Sequence, residues 1–426
     1  MSDSLAPAAG PATPRSLWAN ADFLKLWTGQ TISELGSRIT REGIPLAAVL
    51  VLHAGTVQMG FLAALSGGAV LVFGLVAGVW VDRLRRRPMM IATDLGRAAI
   101  LVSIPAAAVA GVLSMGQLYA VAALAGVLTV FFDTAYQSYL PSLVGRDEIL
   151  AGNSKLALSS SIAEVAGPGL TGVLVQLITA PVAILFDAVS FLFSALMVGL
   201  IRKPEPPPVR HEPEHLVAET LAGLRFIVRQ PLLRALALRS VTFFIFVGFL
   251  APLYVLYAID VLHLKPATLG VVIALGGVGA MVGSFLAPRI VSRFGLGVTF
   301  VVTSLVQGAT TLFLPLAGLQ RMAGIPAFAV VCLMIPQLFG DMAFMVYTIN
   351  ELTVRQEVAP ENVLGRVNAG MNLLARGMWP IGSLIGGSLA AAIGVRDTLA
   401  IAAVGVLLST GWLFASSLRG LRASRS

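Results

Sequence analysis

Apolar stretches of about 20 residues recur along the whole chain, with short polar segments between them. A helix of that length crosses the roughly 30 Å hydrocarbon core of a bilayer, so each stretch predicts one transmembrane helix. The strict alternation of outer-membrane strands is not seen. The pattern therefore predicts an all-α integral membrane protein whose twelve transmembrane helices lie at 23–52, 57–81, 89–111, 117–140, 154–178, 180–201, 233–262, 267–291, 298–318, 325–350, 369–393 and 397–418.

A charged stretch, 202–232, separates the sixth and seventh predicted spans. Its first part, from Arg202 to Pro208, has the proline content of a linker. Its second part places apolar residues on one face of an amphipathic helix, namely Val217, Leu221, Leu224 and Val228. The predicted organisation is a tail (1–22), a six-helix bundle (23–201), the linker (202–232), a second six-helix bundle (233–418) and a tail (419–426).

Composition and charge support a membrane location. Charged residues make up 12% of the chain, against about 25% in soluble domains. Of the 29 Lys and Arg residues, 21 fall in segments on the side of the N-terminus, five within spans and only three (Lys265, Arg321, Arg396) on the other side. By the positive-inside rule both termini face the cytoplasm of an inner-membrane protein. The net charge of +8 is thereby explained without a nucleic-acid partner.

An internal repeat relates the two predicted bundles. The run from Asp133 to Tyr139 in the fourth span matches the run from Asp341 to Tyr347 in the tenth, with Asp, Ala, aromatic and Tyr positions shared. Parallel repeats of six spans are typical of one large class of transporters.

Two motifs carry a family resemblance. The loop after the second span fits the pattern G-x-x-x-D-R-x-G-R-R/K through Gly78, Asp82, Arg83, Arg86 and Arg87, with Arg85 at the usual glycine. The fifth span contains Gly167, Pro168 and Gly172, which resemble the G-P-x-x-G-G antiporter motif with Thr171 at one glycine. On these residues the chain resembles the major facilitator superfamily.

The runs Leu-Phe-Asp187-Ala-Val-Ser-Phe and Tyr139-Leu-Pro141-Ser-Leu-Val are similar to its macrolide-efflux and siderophore-export subgroup, whose members are drug:proton antiporters. The resemblance implies alternating access by rocking of the two halves, driven by protons. It also implies that the loop motif forms a cytoplasmic gate and that spans one, four, seven and ten line the central cavity.

Charges within those spans are the candidates for coupling protons to cargo. Charged side chains are costly inside a membrane, so those that occur there are expected to be functional. Glu34, Arg38 and Arg41 share one helical face. Glu34 stands four residues before Arg38, the favourable order for a pair. Either Glu34 is protonated in exchange for cargo, or the pair only fixes the first span.

Two further pairs of repeat-related charges leave alternatives open. Asp133 and Asp341 either bind protons or cationic cargo, or form salt bridges with loops near the cytoplasmic ends of their spans. Glu164 and Arg376, each one turn before a proline, could pair across the two halves or pack within them. Arg239 is expected near the inner end of the seventh span, with its side chain reaching the interface.

Catalytic, metal and cofactor chemistry is not predicted. His211-Glu212-Pro213-Glu214-His215 matches the zinc pattern H-E-x-x-H, which requires a helix. Pro213 disfavours a helix there by about 3 kcal/mol. No phosphate-binding loop is present, so ATP is not expected to drive the protein.

The walls expected to face cargo are apolar, aromatic and rich in Met, which suits a small amphiphilic substrate: Trp27, Phe243, Phe244, Phe246, Tyr254, Tyr257, Met345, Tyr347, Met371, Met378 and Trp379. The sequence thus predicts a monomeric, proton-coupled exporter of a drug-like compound or secondary metabolite, and not an enzyme. The alternatives are an importer or facilitator of a polar metabolite and a non-transporting scaffold.

Overall fold

The structure, a computed structural model, describes residues 17–145, 148–205, 216–319 and 326–414. Within these ranges the regular elements are helical. A short 3₁₀ turn, Leu17–Ala19, is followed by α1 (Ala21–Leu50), α2 (Thr56–Arg83), α3 (Arg86–Val109), α4 (Met115–Leu143), α5 (Ile149–Ile178), α6 (Ala180–Gly199), α7 (Leu216–Arg229), α8 (Pro231–Leu256), α9 (Pro266–Phe294), α10 (Leu296–Thr311), α11 (Phe313–Ala317), α12 (Pro326–Ile335), α13 (Asp341–Val358), α14 (Glu361–Arg376), α15 (Met378–Ile393), α16 (Val395–Leu408) and α17 (Gly411–Phe414). One π-helical turn, Tyr257–Val261, extends α8, and another, Pro336–Gly340, joins α12 to α13.

These helices form the twelve predicted spans in two six-helix halves. Helices α1 to α6 are one span each, as are α8 and α9, while the pairs α10–α11, α12–α13, α14–α15 and α16–α17 complete the second half. Among the described residues, ten helical segments are long and apolar enough to cross a membrane. The other two spans are α1, which carries four charges from Glu34 to Glu42, and α14–α15, which is interrupted at Gly377.

The amphipathic helix expected in the linker is α7. It lies against α14, where a Cβ on Gly223 would collide with the backbone of Arg366. The residue limits of the two halves, 23–201 and 233–418, stay a prediction.

Corresponding helix junctions recur in the two halves. Thr179 joins α5 to α6 at φ 81°, and Gly394 joins α15 to α16 at φ 93°. A positive φ lets one helix end and the next begin within one residue. Thr179 is β-branched, so it adopts this backbone under more strain than Gly394.

Buried apolar residues of the described chain form three separate clusters. We call the side that carries the start of α1, the α2–α3 junction and α7 the basic face, and the side that carries His53–Gly55 the opposite face. At the opposite face one cluster includes residues of both halves, such as Ile44 and Leu269. At the basic face each half has its own cluster, around Phe132 in the first and Phe300 in the second. The halves are therefore joined at the opposite face and separate towards the basic face.

Glycines bring the halves together at the opposite face. A Cβ on Gly60 of α2 would lie 3.0 Å from the Cα of Gly387 on α15. A Cβ on Gly172 of α5 would lie 3.0 Å from the Cα of Gly270 on α9. Small residues allow helix backbones to approach closely in a bilayer, and here they close one end of the space between the halves.

Candidate functional site

An ion pair between α1 and α5 lies where the two halves begin to separate. Arg38 Nη2 lies 2.5 Å from Glu164 Oε2, and Arg41 Nη1 lies 3.9 Å from Glu164 Oε1. Arg41 Nε also lies 3.8 Å from Glu42 Oε1. The Arg38 side chain is 14% exposed, whereas that of Glu164 is 46% exposed. Glu164 therefore connects a largely buried guanidinium with the space between the halves.

The second half brings a carboxylate to the same region. Asp341 begins α13 directly after the π turn Pro336–Gly340, close to the middle of the apolar segment Ala327–Val358. It interacts electrostatically with Glu164 and Arg41 of the first half. Beside it, Gln337 donates a 3.0 Å hydrogen bond to the Tyr254 hydroxyl of α8. The polar cluster consequently contains groups from both halves.

Two adjacent glycines on α9 make room for this cluster. A Cβ on Gly276 would collide with Asp341 Oδ2 and lie 2.6 Å from Gln337 Oε1. A Cβ on Gly277 would lie 3.0 Å from the backbone oxygen of Glu164. The helix thus contacts Asp341 on one side and the Glu164 turn on the other.

The antiporter-like motif supports the ion pair directly. A Cβ on Gly167 would collide with Arg38 Cβ and lie 2.7 Å from Arg38 Cγ, so only glycine leaves room for this arginine. The next residue, Pro168, and Gly172 one turn beyond it pack against Gly270 of α9. The motif therefore seats Arg38 and also docks the two halves.

A small cavity lies beside this docking contact. It measures about 10 Å³ and is lined by residues that include Glu42, Pro168 and Gly270. That is room for about one water molecule, and it places the Glu42 side chain next to the motif.

The expected pairing of Glu34 with Arg38 is wrong, because Arg38 pairs with Glu164 instead. Glu34 is half-buried and interacts electrostatically with Asp133 and Tyr136 of α4. Helical spacing shows which side chains share a face, but here a helix from elsewhere in the chain offers the better-placed acid. The Glu34–Asp133 pair of acids remains a candidate group of its own.

For two other pairs of charges the structure favours one of the alternatives that the sequence left open. Glu164 pairs within its own half, and Arg376 is exposed and makes no ion pair among the described residues. Asp341 lies near mid-span, not at the cytoplasmic end of its helix. For both positions the repeat in the sequence identified equivalent residues without specifying their partners.

Arg239 is buried and does not reach the interface. It is 1% exposed, donates a 2.6 Å hydrogen bond to Gln307, and stacks on the rings of Phe243 and Tyr347 at 4.3 and 3.8 Å from their centroids. The sequence contained a signal for this stacking. Phe243 follows Arg239 by four residues, and side chains at that spacing are neighbours on a helix.

The loop motif makes its described contacts within the first half. The backbone N–H groups of Arg86 and Arg87 donate to Glu205 at 2.7 and 3.1 Å, so Glu205 caps the start of α3. The Arg87 side chain donates to the last carbonyls of α6, on Val198 and Gly199.

The remaining described positions of the motif make fewer contacts. Arg83 is exposed, and a Cβ on Gly78 would meet nothing within 4 Å. The Asp82 side chain lies outside the described residues. The cytoplasmic gate remains a prediction, since the halves are apart at this face.

Several residues expected to face cargo are instead buried in the helix cores, among them Tyr257, Tyr347 and Met371 at 1% exposure each. Phe344 of α13, which the sequence did not single out, stacks on Phe243 at 5.7 Å between centroids. The motif His211–His215 lies outside the described residues. Among those described, there is no group of acidic, His or Cys residues suited to a metal.

Comparison with known proteins agrees with the resemblance. The family model for the Major Facilitator Superfamily matches residues 26–383. The multidrug efflux pump Tap of Mycolicibacterium fortuitum is 28% identical over 396 residues, covering 90% of this chain and 90% of Tap. The enterobactin exporter EntS of Escherichia coli O1:K1 / APEC is 26% identical over 380 residues, covering 87% of this chain and 84% of EntS.

Solved structures show the same fold. A bacterial homologue of the iron transporter ferroportin in an inward-facing state has a TM-score of 0.72 at 18% identity, covering 94% of this chain and 99% of that one. In its outward-facing state the TM-score is 0.58, at 20% identity over 92% of this chain and 98% of that one.

Proposed function

The chain belongs to the Major Facilitator Superfamily, and on that premise we propose that it exports a small amphiphilic compound in exchange for protons. It is a multi-pass protein of the bacterial inner membrane, related to efflux pumps. We infer that both termini are cytoplasmic, since 21 of the 29 Lys and Arg residues lie on that side. The basic face is then the inner one, and the state described is open to the cytoplasm. The transporter acts as a monomer, without catalytic chemistry.

The observation that carries this proposal is the Arg38–Glu164 ion pair beside Asp341. A proton that Glu164 takes up from the outer side during the transport cycle removes its negative charge. Arg38 is then a largely buried cation without a partner, and such a charge destabilises the arrangement that encloses it. The protonated state therefore favours a rearrangement of α1 against α5.

Asp341 conveys the same event to the second half. Arg41 is 64% exposed and only loosely held, at 3.8 and 3.9 Å from Glu42 and Glu164. When Glu164 is neutral, its repulsion of Asp341 disappears and Arg41 is free to approach Asp341. Protonation thus changes the attraction between the halves, and release of the proton to the cytoplasm restores the Arg38–Glu164 pair of the inward-open state.

Export of a drug-like cargo is favoured by the relatives. Tap is a multidrug efflux pump and EntS an enterobactin exporter. The partly exposed rings of Phe244 on α8 and Phe344 on α13, which contact each other, offer an apolar surface for such a cargo.

The test is transport by purified protein in liposomes, with ethidium and enterobactin as probes and an imposed pH gradient. We expect wild type to move at least one probe against its gradient. Glu164→Gln should lose gradient-driven transport, because a neutral amide cannot release a proton. Glu357→Gln, at an exposed carboxylate of α13, should behave like wild type.

Two results would contradict the proposal. Uphill transport by Glu164→Gln equal to that of wild type would remove Glu164 from the coupling. Gradient-driven movement of a polar metabolite in the opposite direction, with neither probe transported, would favour the importer.

A further inference from the structure

A second carboxylate is enclosed within the first half, away from the Glu164 cluster. Asp187 of α6 is 1% exposed. Its Oδ1 accepts a 3.0 Å hydrogen bond from Ser190 Oγ, its Oδ2 has no partner at hydrogen-bond distance, and the Thr40 hydroxyl of α1 is the other polar group that interacts with the carboxylate. Among the described residues it forms no ion pair.

The nearby charges do not neutralise Asp187. On α3, Arg97 pairs with Asp94, and both are buried. The Arg97 guanidinium is held between the rings of Phe132 and Phe191, at 4.3 and 4.0 Å from their centroids. This region therefore contains two buried carboxylates and one buried cation.

The other helix packed closely on Asp187 brings no charge to it. Gly36 of α1 faces this carboxylate, and a Cβ there would lie 2.7 Å from Asp187 Oδ1 and collide with Ser190 Oγ. The charged groups that act on Asp187 are Arg97, which attracts its negative charge, and Asp94, which repels it. An unpaired carboxylate is costly in such surroundings, and a group in that position binds a proton instead.

We propose that Asp187 is a second proton-binding site of the transport cycle, which takes up its proton from the outer side when α1 lies away from α6 and carries it into this inward-open state. This inference rests on the proposed function, since it assumes that protons drive transport. The link is α1 itself: Gly36 covers Asp187 on one side of the helix, and Arg38 reaches Glu164 on another. A displacement of α1 that changes the Arg38–Glu164 pair therefore also changes the cover of Asp187.

Infrared spectroscopy of the purified protein in lipid nanodiscs tests the first half of this statement. At about pH 7, where ordinary carboxyl groups are ionised, wild type should show the carbonyl band of a protonated carboxyl, and Asp187→Asn should lack it. Asp260→Asn, at an exposed carboxylate at the end of α8, should keep it. Ser190→Ala should shift the band, because Asp187 loses its hydrogen-bond donor, and this variant serves if Asp187→Asn does not fold.

Transport tests the second half. In liposomes, Asp187→Asn should lose uphill transport driven by a pH gradient while keeping exchange of probe down its own gradient. The proposal is wrong if neither Asp187→Asn nor Ser190→Ala changes the carbonyl band. Uphill transport by Asp187→Asn at the wild-type rate would overturn it too, because Asp187 would then keep its proton throughout the transport cycle. Failure of the proposed function can be distinguished from failure of this inference, because the wild-type protein itself would then show no transport driven by the pH gradient.

Discussion

The Arg38 guanidinium lies 2.5 Å from the Glu164 carboxylate, and its aliphatic stem rests on Gly167, one turn further along α5. The acid and the glycine that seats its partner are thus on the same helix. The antiporter-like motif follows Glu164 in the chain, so a change in the motif acts on the ion pair through direct contact.

The first prediction concerns the two glycines that flank Pro168. Gly167→Ala should displace Arg38 from Glu164, because the added Cβ collides with the arginine stem. Overpacking of this kind costs about 1–3 kcal/mol, and gradient-driven transport in liposomes should fall with it. Gly169→Ala is the matched control, since a Cβ there meets nothing within 4 Å. Equal activity of the two variants would show that Gly167 does not position Arg38.

The second prediction concerns closure of the opposite face. Gly60→Ala should separate α2 from α15, because its Cβ would lie 2.7 Å from the backbone oxygen of Ser383. Spin labels on the exposed residues Val57 and Ile393 should then report longer distances between the halves by electron resonance. Gly68→Ala, on the same helix with no neighbour within 4 Å, should leave the distances unchanged. If Gly60→Ala leaves the distances between the spin labels unchanged, this contact does not hold the halves together.

The third prediction concerns the buried Arg239. Arg239→Lys should lower the unfolding temperature in detergent, because lysine keeps the charge but lacks the planar group that stacks on Tyr347 and bonds Gln307. A desolvated cation–π contact is worth about 2 kcal/mol. Arg234→Lys, at an exposed position of the same helix, should melt like wild type. Identical melting of Arg239→Lys would show that the stacking contributes little.

The fourth prediction concerns pH and Asp22, which lies in the first turn of α1, ahead of the apolar run predicted at 23–52. Burial raises its pKa, but hydrogen bonds from Lys25 Nζ and from the backbone N–H groups of Arg202 and Lys203 outweigh this and hold the pKa below its usual value of 3.8. A carboxyl group with a lowered pKa stabilises the folded state above its unfolded pKa and loses that contribution as the pH falls through the folded pKa.

Wild type should therefore lose more thermal stability than Asp22→Asn between about pH 5 and pH 2, and the two should differ by a constant amount above that range. Melting curves recorded across the range measure this difference. Parallel loss of stability in both proteins would mean that Asp22 does not fasten the start of the linker to α1.

Much of the architecture follows from the sequence alone. The apolar runs predicted the helices, since a bilayer accepts only segments whose backbone hydrogen bonds close internally. The span predicted at 57–81 is α2 (Thr56–Arg83), and the amphipathic helix expected in the linker is α7. Asp94 and Arg97, at a spacing of three, pair as local helical geometry allows. Such features depend on residues that are close together along the chain, so a single sequence is enough to predict them.

The partners of the intramembrane charges were decided only by the tertiary structure. Arg38 had Glu34 one turn away on its own helix, yet it contacts Glu164, which is 126 residues further along the chain. Arg239 was expected at the surface, and the packing of α8 against α10 and α13 encloses it. The energy of a buried charge depends on which helices surround it and how closely glycines let them approach. The sequence therefore determined which residues are charged and where each helix crosses the membrane, while the folded bundle alone determined which charges meet.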